Sequence, residues 1–463
     1  MSGRVIIVAN RLPVSLSTDE NGNDIFVQST GGLATALGQL HAQEGSLWVG
    51  SSDIPAEEKN TQRASNYESE LSKSRCVPVY LTKDEVHGFY EQYSNSAIWP
   101  LFHDFPQYVR FNHEYWKTYM QVNRKFCDAV LEHANPDDTI WVQDYHLMLL
   151  PKMLREALPD ALIGFFLHIP FPDYETFRML PERREVLEGL LGADLIGFHT
   201  YDYIRHFLSS CGRILGLENR MGSLLNGSRL VQVDVFPLGI DYERFASQGR
   251  AERTAEIIEQ TEVGKPRGQT TMKNIVSVDR LDYTKGIPEL LRAYDAFLDR
   301  YPEWQGKVRL SLLAVPSRET VAAYTWIKRE VDELVGKING KYALADWVPI
   351  RYYYRSLPFE QLCALYRSCD VMLVTPLRDG MNLVSKEYLA VHDGGTGVLV
   401  LSEMAGAAGE LSEALLVNPF DRDSIVEALH KALTMPEEEQ RHRNSLMQRR
   451  LSRYTSDKWA EEF

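Results

Sequence analysis

Two carboxylates, Asp379 and Glu387, follow an apolar run in the second half of the chain. The run DVMLVT (Asp370–Thr375) predicts a buried strand, and LVSKEYLAVH, after a loop, predicts a helix. A glycine-containing loop that leads into a helix presents backbone N–H groups and the positive end of the helix dipole, which suit a phosphate. Asp379 in the loop and Glu387 in the second helical turn can accept hydrogen bonds from nearby hydroxyl groups. A phosphate flanked by polyols indicates a nucleotide sugar, although a solvated surface loop could show the same residues.

Arg280 and Lys285 lie in a second segment with the same layout. The segment NIVSVDRLDYTKGIPELLRAYDAFL (Asn274–Leu298) contains an apolar run, a polar loop and a helical pattern with Pro288 in its first turn. Ligands of open α/β sheets bind at the carboxyl ends of the strands, where both loops are expected to lie. Two fixed cations at that edge would neutralise a departing diphosphate. The alternative is that they only form surface ion pairs with neighbouring aspartates, each contributing about 0–1 kcal/mol.

The composition excludes several classes of function. The chain has 463 residues, 44% hydrophobic and 25% charged, which is typical of a globular protein with two to three domains. A formal net charge of −14 argues against nucleic acid as a partner, because nucleic-acid binding requires a basic face. We find no signal-peptide pattern and no apolar run near the roughly 20 residues of a membrane span. Five cysteines without a C-x-x-C pair predict reduced thiols and a cytoplasmic location.

Apolar runs and helical patterns alternate along the chain, which predicts an α/β fold. Runs rich in Val, Ile and Leu between helical patterns indicate parallel sheets covered on both faces. PLGID (Pro237–Asp241) predicts a turn between two doubly wound, Rossmann-like domains, 1–238 and 239–445, and 261–274 predicts an exposed loop in the second domain. The predicted strands are VIIVAN, TIWVQD, LIGFFLHI, LIGFHT, LVQVDVFPL, NIVSV, VRLSLLAVP, VPIRYYY, DVMLVT, TGVLVL and ALLVNP.

Three polar residues of the first half are expected at one edge of the first sheet. Arg11 follows VIIVAN, Asp144 ends TIWVQD, and His168 lies near the end of LIGFFLHI. The carboxyl ends of parallel strands meet at one edge, so the three side chains are predicted to converge on a functional site. Each residue taken alone is more often structural, because a buried His or Asp commonly satisfies backbone groups.

The segment after the first predicted strand carries glycine signals. Gly31 and Gly32 would let backbone amides approach a diphosphate closely, or would simply form a tight turn. Asn21-Gly22 predicts a hairpin within Ser17–Ser29 that laps over the site as a flap. The sequence contains no G-x-G-x-x-G or G-x-x-x-x-G-K-[ST] motif and no Cys/His cluster, so neither a P-loop nor a bound metal is predicted.

Two of these segments, VDRLDYTKG and PLRDGMNLVSKE, resemble signatures of the trehalose-6-phosphate synthase family, which consists of UDP-forming, retaining glycosyltransferases. The resemblance extends over essentially the whole chain. One departure is Gln143, where many relatives have histidine, and we interpret this position as one that tunes Asp144. The other matching segments are VANRLPVS, TGGLATAL, YSNSAIWPLFH, WVQDYHLMLLP, FFLHIPFP and LLGADLIGFHT.

The resemblance implies a GT-B architecture, in which two doubly wound domains face a central cleft and a C-terminal helix, 446–463, packs back on the first domain. It also implies three sets of site residues. The set implied in catalysis is Arg280, Lys285, Asp379, His168 and Asp144. The set implied in donor binding is Gly31, Gly32, His168, Arg280, Lys285, Asp379, Gly380, Met381, Asn382, Leu383, Val384 and Glu387. The set implied in acceptor binding is Arg11, Tyr90, Trp99, Asp144 and Arg318.

The activity implied by the resemblance is transfer of glucose from UDP-glucose to glucose 6-phosphate with retention of configuration, as part of trehalose biosynthesis. It implies no metal ion or other cofactor. It also implies a homo-oligomer, with subunits of a trehalose-synthase complex as possible partners, and neither nucleic acid nor membrane. The alternatives are a related synthase with another acceptor phosphate, a nucleotide-sugar epimerase, and a non-catalytic regulatory subunit that binds sugar phosphates.

Overall fold

The computed structural model describes residues 3–19, 22–29, 32–42, 45–260, 272–318 and 322–463. The chain divides into two compact units. The first comprises Met1–Pro237 and Trp459–Phe463, and the second comprises Leu238–Lys458. Three sequence predictions, for Asn21, Gly31 and most of the loop 261–274, fall outside the described residues.

The first unit is built on a largely parallel sheet. Its strands are β1 (Val5–Arg11), β2 (Val14–Thr18), β3 (Asp24–Gln28), β4 (Leu47–Ser51), β5 (Cys76–Val79), β6 (Thr139–Gln143), β7 (Leu162–Phe166), β8 (Leu195–Phe198), β9 (Asn219–Arg220), β10 (Ser223–Asn226) and β11 (Arg229–Val235). Within the described residues the sheet order is β5-β4-β1-β6-β7-β8-β11-β10-β9, and only the pairs β9–β10 and β10–β11 are antiparallel. The strands β2 and β3 pair antiparallel in a separate two-stranded sheet, as the predicted hairpin requires.

Helices connect the parallel strands of the first unit, as parallel pairing requires. They are α1 (Gly32–Ala36), α2 (Gly38–Ala42), α3 (Gln62–Lys73), α4 (Lys83–Glu85), α5 (Trp99–Phe102), α6 (His113–Leu131), α7 (Leu150–Ala157), α8 (Tyr174–Phe177), α9 (Arg183–Leu190) and α10 (Tyr201–Leu215). A π-helical segment, Val86–Ile98, joins α4 to α5. Central strands such as β1 bury continuous apolar runs, because helices cover both faces of the sheet.

The second unit repeats this plan. Its helices are α11 (Tyr242–Arg250), α12 (Glu252–Gln260), α13 (Ile287–Arg300), α14 (Ala322–Tyr342), α15 (Phe359–Arg367), α16 (Leu383–Val391), α17 (Arg422–Thr434) and α18 (Glu437–Leu451). Its strands are β12 (Lys273–Arg280), β13 (Val308–Val315), β14 (Ile350–Tyr354), β15 (Val371–Val374), β16 (Val398–Ser402) and β17 (Leu415–Val417). They form a parallel sheet in the order β14-β13-β12-β15-β16-β17 within the described residues. Every strand predicted from the sequence is confirmed.

The C-terminal segment differs from the single returning helix that the sequence suggested. α18 ends at Leu451, and a separate helix, α19 (Ser456–Glu462), follows it. Residues 446–458 belong to the second unit, and only Trp459–Phe463 belong to the first. A polar turn separates α18 from α19. At the end of this turn Ser456 N donates a hydrogen bond to Ile240 O at 3.2 Å, which attaches the segment to the second unit.

The aromatic residues of this segment complete the core of the first unit. Trp459 is fully buried and lies 5.1 Å from Trp141, and Phe463 stacks on Trp141 at 4.5 Å. Two sheet glycines make room for the Phe463 ring: a Cβ at Gly164 would lie 2.6 Å from it, and one at Gly197 would lie 2.7 Å from it. No helix among the described residues is long and apolar enough to cross a membrane.

Candidate active site

Arg11 and Tyr90 lie together at the carboxyl edge of the first sheet. Arg11 ends β1 and is exposed, and its Nη2 donates to the Tyr90 hydroxyl at 3.3 Å. Its guanidinium carbon lies 5.3 Å from the centroid of the Tyr90 ring. Tyr90 belongs to the π-helical segment, a type of irregularity that is frequent at functional sites. An exposed arginine fork beside a phenol hydroxyl suits a phosphate dianion.

Trp99 lies deeper than its predicted role would require. It opens α5 and is 5% exposed, and its ring centroid lies 4.0 Å from that of His103 and 5.7 Å from that of Tyr145. The indole therefore contributes mainly to the core and can offer a ligand little more than an edge.

Asp144 occupies a strained backbone conformation at the end of β6. Its φ of 71° and ψ of 171° fall in a region that only glycine adopts readily. Its backbone N donates to Phe166 O at 2.7 Å, and its Oδ1 accepts a hydrogen bond from His168 N at 3.2 Å. Such strain costs about 1–3 kcal/mol and persists where the surroundings impose it, commonly at functional sites.

His168, which follows β7, is held by side chains from neighbouring elements. Its Nε2 lies 2.9 Å from Oε1 of Gln143, which is fully buried at the end of β6. Its ring centroid lies 4.6 Å from Phe166, 5.5 Å from His199 and 5.9 Å from Trp459. Burial, with a smaller effect of His199, lowers the pKa of His168 well below its usual value, so the imidazole is neutral at pH 7.

Lys285 and Asp379 join the two loops predicted in the second unit. Lys285 Nζ donates to Asp379 Oδ2 in an ion pair whose side chains are 9% and 14% exposed. Asn382 Nδ2 donates to the same oxygen at 3.1 Å. The backbones are also joined, because Leu377 N donates to Thr284 O at 2.8 Å. The loops after β12 and β15 therefore form one structure at the carboxyl edge of the second sheet.

The segment from Gly380 to Val384 leads into the N-terminus of α16. Asn382 adopts φ 72° and caps the helix, with its Oδ1 accepting from Ser385 N at 3.0 Å. Gly406 packs so closely that a Cβ there would lie 2.1 Å from Gly380 O. The first N–H groups of a helix have no partner within it, so this fixed turn directs donors and the positive helix dipole toward a ligand.

Glu387 lies in the second turn of α16, as predicted, and is held by a residue that the sequence did not indicate. The hydroxyl of Tyr366, a fully buried residue of α15, donates to Glu387 Oε2 at 3.0 Å. Burial raises the pKa of Glu387 to about 7, and the Tyr366 hydrogen bond opposes that rise. The carboxylate is therefore preorganised to accept hydrogen bonds from a pair of hydroxyl groups.

The two predicted arginines of the second unit have different environments. Arg280 is exposed at the end of β12. Arg318, in the loop after β13, has a side chain that is 6% exposed, and it forms an ion pair with Asp282 at 3.2 Å. It also donates to the Tyr324 hydroxyl at 2.6 Å. Arg318 is thus the one predicted acceptor residue in the second unit, since the other four lie in the first.

Asp279 is a buried carboxyl that the sequence analysis treated only as an ion-pair partner. It precedes Arg280 on β12 and is 6% exposed. Burial raises its pKa to about 7, and Asp379 adds to the rise while Lys285 opposes it. The sequence signal that could have identified Asp279 as a site residue was its position at the end of a predicted strand, beside Arg280.

Gly32 begins α1 and is exposed, whereas Gly31 lies outside the described residues. In the part of the chain that the structure describes, no group of three or more His, Cys, Asp or Glu side chains is arranged to hold a metal ion. All five cysteines are buried free thiols.

Each of the two α/β units carries basic and carboxylate side chains at the carboxyl edge of its parallel sheet, where such sheets bind ligands. The solved structures that superpose on the chain are glycosyltransferases of the GT-B fold class. The profile of Glycosyltransferase family 20 matches residues 3–463, and the chain belongs to that family.

The chain is similar to proteins of known activity over its full length. It is 42% identical to the Schizosaccharomyces pombe alpha,alpha-trehalose-phosphate synthase [UDP-forming], covering 100% of this chain and 90% of that protein. A Burkholderia xenovorans UDP-forming synthase in complex with glucose-6-phosphate superposes with a TM-score of 0.87 at 32% identity, covering 100% and 99% of the two chains. An E. coli structure bound with UDP-2-fluoro glucose superposes with a TM-score of 0.86 at 36% identity, covering 99% and 97%.

Proposed function

We propose that this chain is an alpha,alpha-trehalose-phosphate synthase (UDP-forming), which transfers glucose from UDP-glucose to glucose 6-phosphate and releases UDP. The observation that carries the proposal is the Lys285–Asp379–Asn382 cluster, which joins the two signature loops beside the N-terminus of α16. That cluster lies in a chain whose family and full-length relatives share this activity.

The donor's groups match the side chains at the edge of the second sheet. Arg280, Lys285 and the backbone N–H groups of the first turn of α16 bind the diphosphate, and Glu387 accepts hydrogen bonds from the ribose hydroxyls. Asp379, whose Oδ2 accepts hydrogen bonds from Lys285 and Asn382, binds the glucose hydroxyls. His168 is the further residue that the family resemblance assigns to the donor glucose. Gly32 approaches the diphosphate with its backbone.

The acceptor's groups match the edge of the first sheet. Arg11 and Tyr90 bind the 6-phosphate, and Arg318 is the further cation that the family resemblance assigns to the acceptor. Asp144 accepts hydrogen bonds from the acceptor's hydroxyls, and its imposed conformation fixes their position. Trp99 contributes an apolar edge beside the ring.

The reaction breaks the bond between the donor's anomeric carbon and the diphosphate, and forms a bond from that carbon to the acceptor's anomeric oxygen. Attack from the leaving-group side retains configuration, and the departing phosphate oxygen takes the acceptor's proton. Arg280 and Lys285 stabilise the charge that develops on UDP. The protein also aligns the two substrates, which removes much of the entropic barrier. Charge stabilisation by these cations accounts for the chemistry without a metal ion or other cofactor.

The test is an end-point assay with UDP-glucose and glucose 6-phosphate in the presence of a chelator, with products identified by mass spectrometry and NMR. We expect UDP and an α,α-linked disaccharide phosphate. UDP without the disaccharide would indicate another acceptor or hydrolysis. Binding of both sugar phosphates without turnover would favour a regulatory subunit. Loss of turnover with the chelator and recovery with a divalent ion would overturn metal independence.

Two further parts of the proposal concern the cellular location and the oligomeric state of the protein. We propose a cytoplasmic protein, supported by its five buried free thiols. We also propose a homo-oligomer that can join a trehalose-synthase complex; two yeast relatives are named as 56 kDa subunits. Sedimentation of the purified chain tests whether it forms a homo-oligomer, and a single monomeric species would contradict that part of the proposal.

A further inference from the structure

Gln143 is buried at the end of β6, and among the described residues the oxygen but not the nitrogen of its side-chain amide has a hydrogen-bond partner. Its Oε1 lies 2.9 Å from His168 Nε2, whereas its Nε2 is buried with no hydrogen-bond partner among the described residues. A buried donor without a partner costs about 1–3 kcal/mol of stability, so the presence of a glutamine at this position needs an explanation. The contact between Gln143 Oε1 and the His168 imidazole provides that explanation.

The chemistry of this contact decides which ring nitrogen carries the proton. An amide oxygen only accepts hydrogen bonds, so His168 Nε2 must be the donor. The ring is neutral at pH 7, so it carries one proton and Nδ1 keeps a lone pair. No hydrogen bond to His168 Nδ1 is made by the described residues, and the residue is not fully buried.

We propose that Gln143 is a positioning residue that holds His168 in the Nε2–H tautomer, so that Nδ1 accepts a hydrogen bond from a hydroxyl group of the donor sugar. The proposal rests on the proposed function for the identity of that sugar. Gln143 touches no substrate itself and acts through the imidazole.

The other groups around the ring do not set the tautomer. No hydrogen bond joins His168 to His199 among the described residues; their ring centroids lie 5.5 Å apart. The Asp144 carboxylate is engaged with the backbone N of His168. Trp459 contributes an aromatic face without charge. A rotated Gln143 amide, which would donate to Nε2 and require a proton on Nδ1, is the arrangement that the experiment must distinguish.

The first measurement is NMR of protein labelled with ¹⁵N-histidine, in which long-range couplings report the protonated ring nitrogen. The His168 signals are assigned by their loss in His168→Asn. We expect the Nε2–H tautomer in the wild type and a mixture of tautomers in Gln143→Leu. In Gln143→Glu we expect the pH at which His168 titrates to rise, because a carboxylate favours the imidazolium. A wild-type Nδ1–H tautomer, or one unchanged in Gln143→Leu, would overturn the proposal.

The second measurement is a double-mutant cycle on kcat/KM for UDP-glucose. Gln143→Leu is expected to lower this quantity about tenfold, while Gln143→Leu combined with His168→Asn should be no worse than His168→Asn alone. Gln448→Leu is the matched control, because Gln448 is a buried amide of the second unit that bonds only to Leu389 O and His392 O. Additive losses would contradict the positioning role. If the wild type transfers no glucose, the proposed function fails, and the NMR result still decides the tautomer.

Discussion

Lys285 and Asp379 form a nearly buried ion pair at one edge of the second sheet, and Lys273 and Asp370 form an ion pair at the other. The first pair connects the loops that follow β12 and β15, and the second connects the first residue of β12 with the residue that precedes β15. The side chains of Lys285 and Asp379 are 9% and 14% exposed, and those of Lys273 and Asp370 are 42% and 34% exposed. Only the first pair lies at the carboxyl ends of the strands, where α/β sheets bind their ligands.

This contrast supplies a matched test of Lys285. Lys285→Ala is expected to lower kcat/KM for UDP-glucose about 100-fold, because a fixed charge that stabilises the departing diphosphate is lost. Lys273→Ala removes a lysine from the same strand pair and is expected to leave kcat/KM within about twofold of the wild type. Steady-state kinetics with thermal unfolding as a check on folding would measure both. Equal losses in the two variants would indicate a structural role for both pairs.

Arg280→Ala is expected to lower turnover by about 100-fold or more while leaving the fold intact. Arg280 is exposed, so its removal opens no cavity, and its proposed partner is the leaving diphosphate. The matched control is Arg300→Ala, an arginine half-exposed on α13 that pairs with Asp423 and Glu427. Near-normal turnover of Arg280→Ala would exclude the leaving-group role.

Tyr366→Phe is expected to change the pH dependence of donor binding. The Tyr366 hydroxyl opposes the rise of the Glu387 pKa to about 7, so its removal raises that pKa further. The ionised carboxylate is the better acceptor for ribose hydroxyls, so KM for UDP-glucose should increase near pH 7 and recover above pH 8, with kcat little changed. Tyr294→Phe is the control, because this buried hydroxyl donates to Pro349 O instead of to a carboxylate. A KM effect independent of pH would contradict the electrostatic explanation.

Asp279→Asn is expected to stabilise the protein at high pH. The folded pKa of Asp279 is about 7 and its unfolded value about 3.8, so the folded state binds the proton more tightly. Stability contributed by the protonated carboxyl is therefore complete below about pH 4 and is lost as pH rises to about 7. The variant should gain up to about 4 kcal/mol of unfolding free energy over the wild type between pH 4 and pH 8. Urea unfolding at the two pH values measures this gain, and a pH-independent difference would exclude it.

Asp144 allows strain and chemistry to be separated. Asp144→Ala and Asp144→Gly both remove the carboxylate, so both should lose transfer activity. Only glycine relaxes at φ 71° and ψ 171°, so the glycine variant is expected to be about 1–2 kcal/mol more stable than the alanine variant. Chemical denaturation compares the two variants. Equal stabilities would show that the backbone relaxes in both.

The strands that the sequence analysis missed have physical reasons to be inconspicuous. β5 contains Pro78, which argues against a strand, yet β5 is an edge strand, where a missing N–H is tolerated. β4 has only five residues, one of them Gly50, whose missing Cβ lets the backbone of Arg11 approach. β9 consists of two exposed polar residues, and β10 has only four residues, of which Leu224 is buried and Leu225 is exposed, so neither shows an alternation long enough to predict a strand.

Some features of the candidate site follow from a local sequence pattern, whereas others depend on tertiary contacts. The loops that carry Asp379 and Lys285 were predictable, because an apolar run, a loop and a helical pattern are contiguous in sequence. The partners of these residues were not. Gln143 and His168 are 25 residues apart, and Tyr366 and Glu387 are 21 residues apart, so only folding shows that they meet. The strain at Asp144 was likewise invisible, because nothing in its residue type indicates a glycine-like conformation.

The aromatic residues Trp459 and Phe463 also set an order for folding during synthesis. They fill the core of the first unit, but the ribosome makes them only after all of Leu238–Lys458. Domains generally fold as units and in order from the N-terminus. Here the core of the earlier unit is completed only after the later unit has been synthesised. For that interval the apolar surface around Trp141, Gly164 and Gly197 lacks the two aromatic side chains that cover it in the folded protein.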